Sequence, residues 1–121
     1  MGQPLAGAIE ELSPQQAAEL LGARKILLID VREPHEYAAQ RIAGALLFPL
    51  STLDALALPP DEPRRVVFQC GSGKRSALAA QARLAAGAPR ATHLAGGIGA
   101  WKLAGLPLIH IDPATGKVAN R

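Results

Sequence analysis

The sequence predicts an α/β fold in which a mostly parallel sheet is covered by helices on both faces. Short apolar runs of strand type alternate along the chain with segments of helical character, and parallel strands need such crossovers to connect them. The 121 residues are 49% hydrophobic, enough to bury the core of one domain. We expect a single domain over residues 1–121, with its core over about 10–108 and a tail over 109–121.

The first half of the chain opens with a helix signal. Ser13 is an N-cap candidate, Pro14 suits the first helical position and Gln16 completes a capping box, so a helix is predicted over residues 14–21. The next predicted elements are, in order, a strand buried on both faces over 25–30, a helix opening at Pro34, a short strand over 44–50 and a helix from a Ser51 cap to Leu56.

The second half repeats the alternation more regularly. Its predicted elements are, in order, a strand over 65–69, a helix over 76–86, a short strand over 92–95 and a helix over 97–105. The segment from Leu106 onward contains two turn-like pairs, Asp112-Pro113 and Thr115-Gly116, and is expected to add little to the core.

Charge and composition exclude some classes of function. The net charge is +3 and the cations are dispersed, which suits a small anion better than a nucleic acid. One Trp, one Tyr and two Phe offer no stacking platform for single strands. No apolar stretch approaches the roughly 20 residues of a membrane span, and residues 1–16 lack a signal-peptide pattern. We expect a cytoplasmic protein without nucleic-acid or membrane partners.

The only cysteine, Cys70, falls between a predicted strand and a predicted helix. In an open parallel sheet, the edge at the carboxyl ends of the strands is where ligands bind. Gly71, Ser72 and Gly73 have little side-chain bulk, so their backbone N–H groups can turn inward as an anion nest. Such a nest favours the thiolate, which is the nucleophilic form of cysteine.

Two cations follow in the same loop. Lys74 and Arg75 precede a helix predicted to begin near Ser76, and cations are disfavoured at a helix start, which indicates that an anion is held there. A lone cysteine is most often a buried small hydrophobe, but that role requires neither glycines nor cations. We expect a nucleophilic Cys70 with residues 71–75 as its substrate-binding loop, and neither a metal nor a cofactor.

The loop is similar to a nucleotide-binding P-loop only in part. The P-loop pattern needs a glycine where Phe68 stands and a Ser or Thr where Arg75 stands, because that hydroxyl reaches magnesium. A nucleotide site is therefore not expected.

Four segments, in order, resemble the rhodanese sulfurtransferases in their single-domain form. They are LLIDVREPHEY, RIAGALLFPL, CGSGKRS and LAGGIGAWKLAGLPL, and the likeness covers about residues 10–108. The resemblance implies a central five-stranded parallel sheet flanked by helices on both faces, and a catalytic cysteine, Cys70, at the start of a six-residue loop. It also implies that a sulfane sulfur passes from a donor to Cys70 and then to a nucleophilic acceptor.

The loop residues suggest how that transfer would proceed with a small anionic donor such as thiosulfate. The Cys70 thiolate would attack the outer sulfur while Lys74 or Arg75 holds the sulfonate and stabilises the departing sulfite. The inward amides would cradle the persulfide until a thiol, cyanide or a sulfur-carrier protein takes the sulfur. Hydroxyls of Ser72 and Ser76 could add hydrogen bonds, although Ser76 is expected chiefly as the helix N-cap.

This chain departs from the family pattern at two positions. Arg41 stands where a histidine is usual before the AGA segment, and Gly71 stands where the loop usually carries an arginine. Neither is the nucleophile, but the second changes the charge offered to the donor and leaves the identity of the donor open.

Other polar residues have supporting or structural roles in this interpretation. Asp30 and Arg32 follow the first predicted strand, so they share the sheet edge with the loop. They are predicted to support it through an ion pair or hydrogen bonds, with direct substrate contact as the alternative. His35 and His93 are expected to be surface or core residues rather than proton carriers, and Trp101 is expected in the core.

Two other functions stay open from the sequence. A cysteine-loop phosphatase or arsenate reductase uses the same residue types, but its loop is one residue longer between Cys and Arg than the four residues found here. A thiol-relay arsenate reductase also needs a second cysteine. The other alternative is a noncatalytic binding module of the same fold, and the presence of Cys70 argues against it.

Overall fold

The computed structural model of the chain describes residues 9–120; half of the 16-residue segment considered for a signal peptide lies outside them. Its α-helices α1 to α4 cover Pro14–Gly22, Pro34–Ala39, Lys74–Ala85 and Gly97–Leu103. Its strands β1 to β8 cover Ile9–Leu12, Ile26–Asp30, Gln40–Arg41, Leu46–Leu47, Arg65–Gln69, Ala91–Leu94, Ile109–Ile111 and Val118–Asn120. No helix among these residues is long and apolar enough to cross a membrane.

The central sheet has five parallel strands in the order β1-β6-β5-β2-β4. Strands β2 and β5 lie inside it, with Ile29 opposite Phe68. Both strands have an apolar run at their centre, as expected for strands buried on both faces. The predicted parallel α/β fold is confirmed.

Helices cover both faces of this sheet because its side chains alternate between them. On one face, sheet residues pack with α1 and α4; the buried set includes Leu28, Val67, Leu94, Ala17 and Trp101. On the other face, sheet residues pack with α3; the buried set includes Val66, Phe68, Ala79 and Ala80. The two cores leave the carboxyl ends of β2, β5 and β6 at one edge.

Both ends of the described chain differ from the predictions. Strand β1 was not predicted, because its sequence IEEL has no continuous apolar run, yet it pairs with β6 at the sheet edge. The segment from Leu106 onward was expected to add little to the core, but Leu108 is buried. Residues 109–119 of the tail are partly or fully exposed, yet they are ordered: β7 pairs with β3 and β8 in a second, antiparallel sheet of three strands.

The predicted helix from Ser51 to Leu56 is also wrong. Two short 3₁₀ turns, Leu50–Thr52 and Ala55–Ala57, lie there, and the extended backbone of Leu53 separates them. Ser51 is not a cap, because its hydroxyl donates to the Glu33 carboxylate at 2.9 Å.

Candidate active site

Cys70 lies directly after β5, at the carboxyl edge of the central sheet, and is fully buried. Its sulfur accepts hydrogen bonds from the backbone N–H of Gly73 at 3.1 Å and of Ser76 at 3.3 Å. The hydroxyl oxygen of Ser76 lies 3.6 Å from the same sulfur. The first turn of α3 and the loop before it thus wrap around the sulfur atom.

These contacts determine how readily the thiol ionises. Burial raises the pKa of Cys70, but hydrogen bonds from the amide and hydroxyl of Ser76 and from the amides of Gly73 and Ser72 outweigh it, so the pKa lies below its usual value. Hydrogen bonds to the charged form stabilise that form. The loop therefore favours the nucleophilic thiolate.

Helix α3 begins earlier than the sequence predicted. It starts at Lys74 with Gly73 as its N-cap, so the predictions of a start near Ser76 and of a Ser76 cap are wrong. Gly73 has φ of +104°, a conformation that glycine adopts at little cost. This early turn places Ser76 inside the helix, where its hydroxyl donates to the Gly73 carbonyl at 3.2 Å, and aims the first helical amides at the sulfur.

The two remaining loop residues lie nearer to the surface. Ser72 is exposed and Gly71 is partly buried. A Cβ atom on Gly71 would lie 3.2 Å from Nη2 of Arg75, so that guanidinium group lies against the loop. The absence of a side chain at Gly71 makes room for it.

The start of α4 holds the Cys70 loop from the other side, and sequence reasoning did not assign it a role in the site. The backbone N–H of Ile98 donates to the Cys70 carbonyl at 2.8 Å, and that of Gly99 donates to the Gly71 carbonyl at 3.0 Å. Gly97 packs so closely that a Cβ atom there would lie 2.3 Å from the Cys70 carbonyl oxygen. Gly96 and Gly97, the cap and first residue of α4, are the sequence signal that could have indicated this contact.

The two cations of the loop have different surroundings. Lys74 is exposed. Arg75 forms two hydrogen bonds with the carboxylate of Glu36 in α2, at 2.8 Å and 3.0 Å. The Arg75 guanidinium is therefore oriented by a carboxylate that the sequence analysis did not single out.

The ion pair with Arg75 strongly favours the ionised form of the Glu36 carboxyl. Hydrogen bonds from the Arg75 side chain, opposed by burial and helped by the Glu33 amide, lower the pKa of Glu36 from 4.5 to about 2. A carboxyl whose pKa is lowered on folding stabilises the fold above its unfolded pKa and loses that contribution as the pH falls through the folded value. For Glu36, the contribution is present above about pH 4.5 and disappears toward about pH 2.

We therefore expect Glu36→Gln to lower the free energy of unfolding near neutral pH by about 0.2–1 kcal/mol, the range of partly exposed ion pairs. The difference from the wild type should shrink as the pH approaches about 2. Urea denaturation at the two pH values measures it. Glu19→Gln, at an exposed position of α1, is the matched control. An equal loss at both pH values would contradict this role of the Glu36 carboxylate.

Asp30 and Arg32 form a buried ion pair at the end of β2. Their side chains lie 2.8 Å apart and are 0% and 5% exposed. Arg32 also donates to the Gln40 carbonyl at 2.7 Å. Val31, which lies between the two residues of the pair and directly after β2, donates its N–H to the carbonyl of Gln69, directly before Cys70, at 2.9 Å. The pair thus fixes a loop that is joined to the end of β5.

The other predicted residues lie as follows. Trp101 is buried in the core against α1, and its Nε1 donates to the Pro107 carbonyl at 2.8 Å. His35 is exposed at the start of α2. His93 is buried. Within residues 9–120, no three His, Cys, Asp or Glu side chains are grouped so that they could hold a metal ion.

The comparisons with known proteins agree with this architecture. The family profile of the rhodanese-like domain matches residues 13–104. The chain is 32% identical over 102 residues to a protein named sulfurtransferase from Allochromatium vinosum, covering 84% of this chain and 95% of that protein. The human single-domain sulfurtransferase TSTD1 matches in structure with a TM-score of 0.67 and 32% identity, over 77% of this chain and 95% of that one.

The chain belongs to the rhodanese family, as its sequence segments indicated. It is also 39% identical over 98 residues to an uncharacterized protein of Synechocystis, slr1261, with 81% of this chain matched. The match spans little more than half of that relative, 55% of its length.

Proposed function

We propose that this protein is a sulfurtransferase that carries a sulfane sulfur as a persulfide on Cys70. The observation that carries the proposal is the set of hydrogen bonds at the sulfur: two backbone amides at 3.1 and 3.3 Å. They lower the pKa of the thiol despite its burial. A cysteine that served only as core filler would not need these donors.

A small anionic donor, such as thiosulfate, fits the charges around the loop. Lys74 is exposed beside the loop, and Arg75 is held against Gly71 by Glu36. In the proposed reaction the thiolate attacks the outer sulfur, the sulfur–sulfur bond of the donor breaks, and sulfite leaves with the bonding electron pair. The cations stabilise the negative charge that develops on it.

Access to the sulfur favours a slender substrate. Cys70 is fully buried, so Gly71, Ser72 and Gly73 must shift to admit a donor, and glycines make such backbone motion easy. One sulfur atom needs a smaller opening than a phosphate or arsenate group, and this loop is one residue shorter than the phosphatase loop. These points support sulfur transfer over oxyanion chemistry.

The acceptor in this proposal is an outside nucleophile. Cys70 is the only cysteine in the sequence, so no second thiol of this chain can take the sulfur. Cyanide, a small thiol or a sulfur-carrier protein would discharge the persulfide. We place the protein in the cytoplasm, where reduced thiols are abundant, and treat residues 1–121 as one domain with Asp30 and Arg32 as its supporting pair.

The test is to load the protein with thiosulfate, remove the excess donor and add glutathione, a dithiol or cyanide in turn. We expect the loaded protein to release its sulfur as sulfide, an acceptor persulfide or thiocyanate, because the persulfide is the only store of sulfane sulfur. Aryl phosphates, assayed in parallel, should not be hydrolysed. A protein inert to every acceptor that instead turns over aryl phosphate or arsenate would overturn the proposal.

A further inference from the structure

A line of four side chains connects the Cys70 sulfur to the protein surface. His93 lies in β6 and is 5% exposed. Its Nδ1 lies 2.9 Å from the Ser76 hydroxyl oxygen, which is 3.6 Å from the Cys70 sulfur. Its Nε2 lies 3.2 Å from the Glu11 carboxylate, whose side chain is 62% exposed. Both ring nitrogens of this histidine therefore have partners.

The positions of the hydrogen atoms along this line depend on whether Cys70 is a thiol or a thiolate, because the Ser76 hydroxyl has a single hydrogen to donate. When Cys70 is a thiol, its S–H donates to Ser76, and the serine hydrogen can point to Nδ1 of His93. When Cys70 is a thiolate, the serine hydrogen can turn from Nδ1 or from the Gly73 carbonyl to the sulfur, and a hydrogen on Nδ1 can then be donated to the Ser76 oxygen. Glu11 accepts the hydrogen on Nε2 in both states.

We propose that His93 is a positioning residue for the chemistry of Cys70 and receives the thiol proton through Ser76. The S–H bond of Cys70 breaks as its proton moves to the Ser76 oxygen. The original serine proton moves to Nδ1 of His93. The result is a thiolate and an imidazolium, with no net gain or loss of protons or charge. This inference rests on the proposed function, because it concerns the nucleophile of that reaction.

The surroundings of the ring suit this exchange. The charged group in contact with it among the described residues is Glu11 from β1, which lies opposite the positive charge that the ring would acquire. On the side of α3, Nδ1 of the ring contacts the Ser76 hydroxyl, which in turn contacts the Cys70 sulfur. Its partner position on β5 is the apolar Phe68. The low polarity on that side strengthens the remaining electrostatic contacts.

The experiment measures the thiolate directly, without any sulfur donor. Thiolate absorbs in the ultraviolet, and subtraction of the Cys70→Ser spectrum isolates the signal of the sole cysteine. We expect His93→Leu to reduce the thiolate fraction near neutral pH by about tenfold, the scale of a lost charge-assisted hydrogen bond. The amide of His93→Asn can donate to Ser76 but cannot take up a proton. Its thiolate fraction should therefore lie between those of the wild type and His93→Leu. His35→Asn, on the exposed start of α2, is the control and should titrate as the wild type.

Two further measurements keep the test decisive if His93→Leu does not fold. Glu11→Gln changes an exposed side chain and should reduce the thiolate fraction in the same direction by a smaller factor. Imidazole NMR near neutral pH should show a larger fraction of His93 rings with a hydrogen on Nδ1 in the wild type than in Cys70→Ser, because only the thiol can pass its proton to the ring. Overlapping thiolate curves in a folded His93 variant, or the same Nδ1 signal of His93 in the two proteins, would overturn the proposal.

These readouts are separate from sulfur transfer. A protein whose Cys70 thiolate fraction depends on His93 but which never accepts sulfur would disprove the proposed function and leave the proton exchange standing. A protein that transfers sulfur with a normal thiolate curve in the His93 variants would do the reverse.

Discussion

Cys70→Ser is expected to reduce sulfur transfer from thiosulfate to cyanide by at least about a thousandfold, the scale of removing an enzyme nucleophile. The substitution leaves a hydroxyl among the same donors, the amides of Gly73 and Ser76. The buried oxygen therefore keeps hydrogen-bond partners. We expect the free energy of unfolding to change by no more than about 1–2 kcal/mol.

Steady-state kinetics and urea denaturation of the same preparation separate the two effects. A loss of turnover in a folded variant assigns the chemistry to the sulfur atom. If the folded serine variant retained appreciable turnover, the reaction would have to use another group, and the proposed persulfide would be wrong.

Gly97→Ala is expected to reduce the rate of sulfur transfer by about a hundredfold, the cost of misplacing a reacting group by about 1 Å. A Cβ atom on Gly97 would lie 2.3 Å from the Cys70 carbonyl oxygen and 2.8 Å from the carbonyl carbon of Gly71. Both are backbone atoms, so the loop as a whole must move. The sulfur would then lose its alignment with the amides that stabilise it.

Gly105→Ala is the matched control for this prediction. Gly97 and Gly105 both have positive φ, +61° and +75°, so both substitutions strain the backbone by about 1–2 kcal/mol. Nothing lies within 4 Å of a Cβ atom on Gly105, however. We expect Gly105→Ala to lower stability with little effect on turnover. Equal losses of turnover in the two variants would show that backbone strain, rather than displacement of the Cys70 loop, is responsible.

The features that the sequence predicted are those determined locally. The apolar runs of β2 and β5 identify them as buried strands without any knowledge of which strands lie beside them. Cys70 and its glycines are adjacent in the chain, so their chemistry can be inferred from residue type and spacing. The family resemblance supplied the number of strands, which the pattern could not, because the two adjacent glutamates of β1 interrupt any apolar run.

The features that the sequence missed depend on contacts between distant segments. Glu36 is 39 residues from Arg75, and no local pattern pairs them. His93 is buried, one of the two positions expected for it, but its contacts with Glu11 and Ser76 were missed because these residues come from two other elements. The tail joined the structure through β3, whose two residues carry no strand signal.

Ser76 shows how a correct local preference can give a wrong assignment. Serine is a favoured N-cap residue, so the sequence predicts that Ser76 caps α3. Gly73 takes that position, because its left-handed backbone lets the chain turn three residues earlier. The earlier start brings two amides to the sulfur, so the deviation from the helix-capping rule coincides with the candidate active site.

The most direct test of sulfur transfer through Cys70 is the intact mass of the purified protein after incubation with thiosulfate, before and after cyanide. If a persulfide forms on Cys70, the wild type gains the mass of one sulfur atom and cyanide removes it. The mass of Cys70→Ser stays unchanged. An unchanged mass of the wild type under every condition, or the same gain in Cys70→Ser, would contradict it.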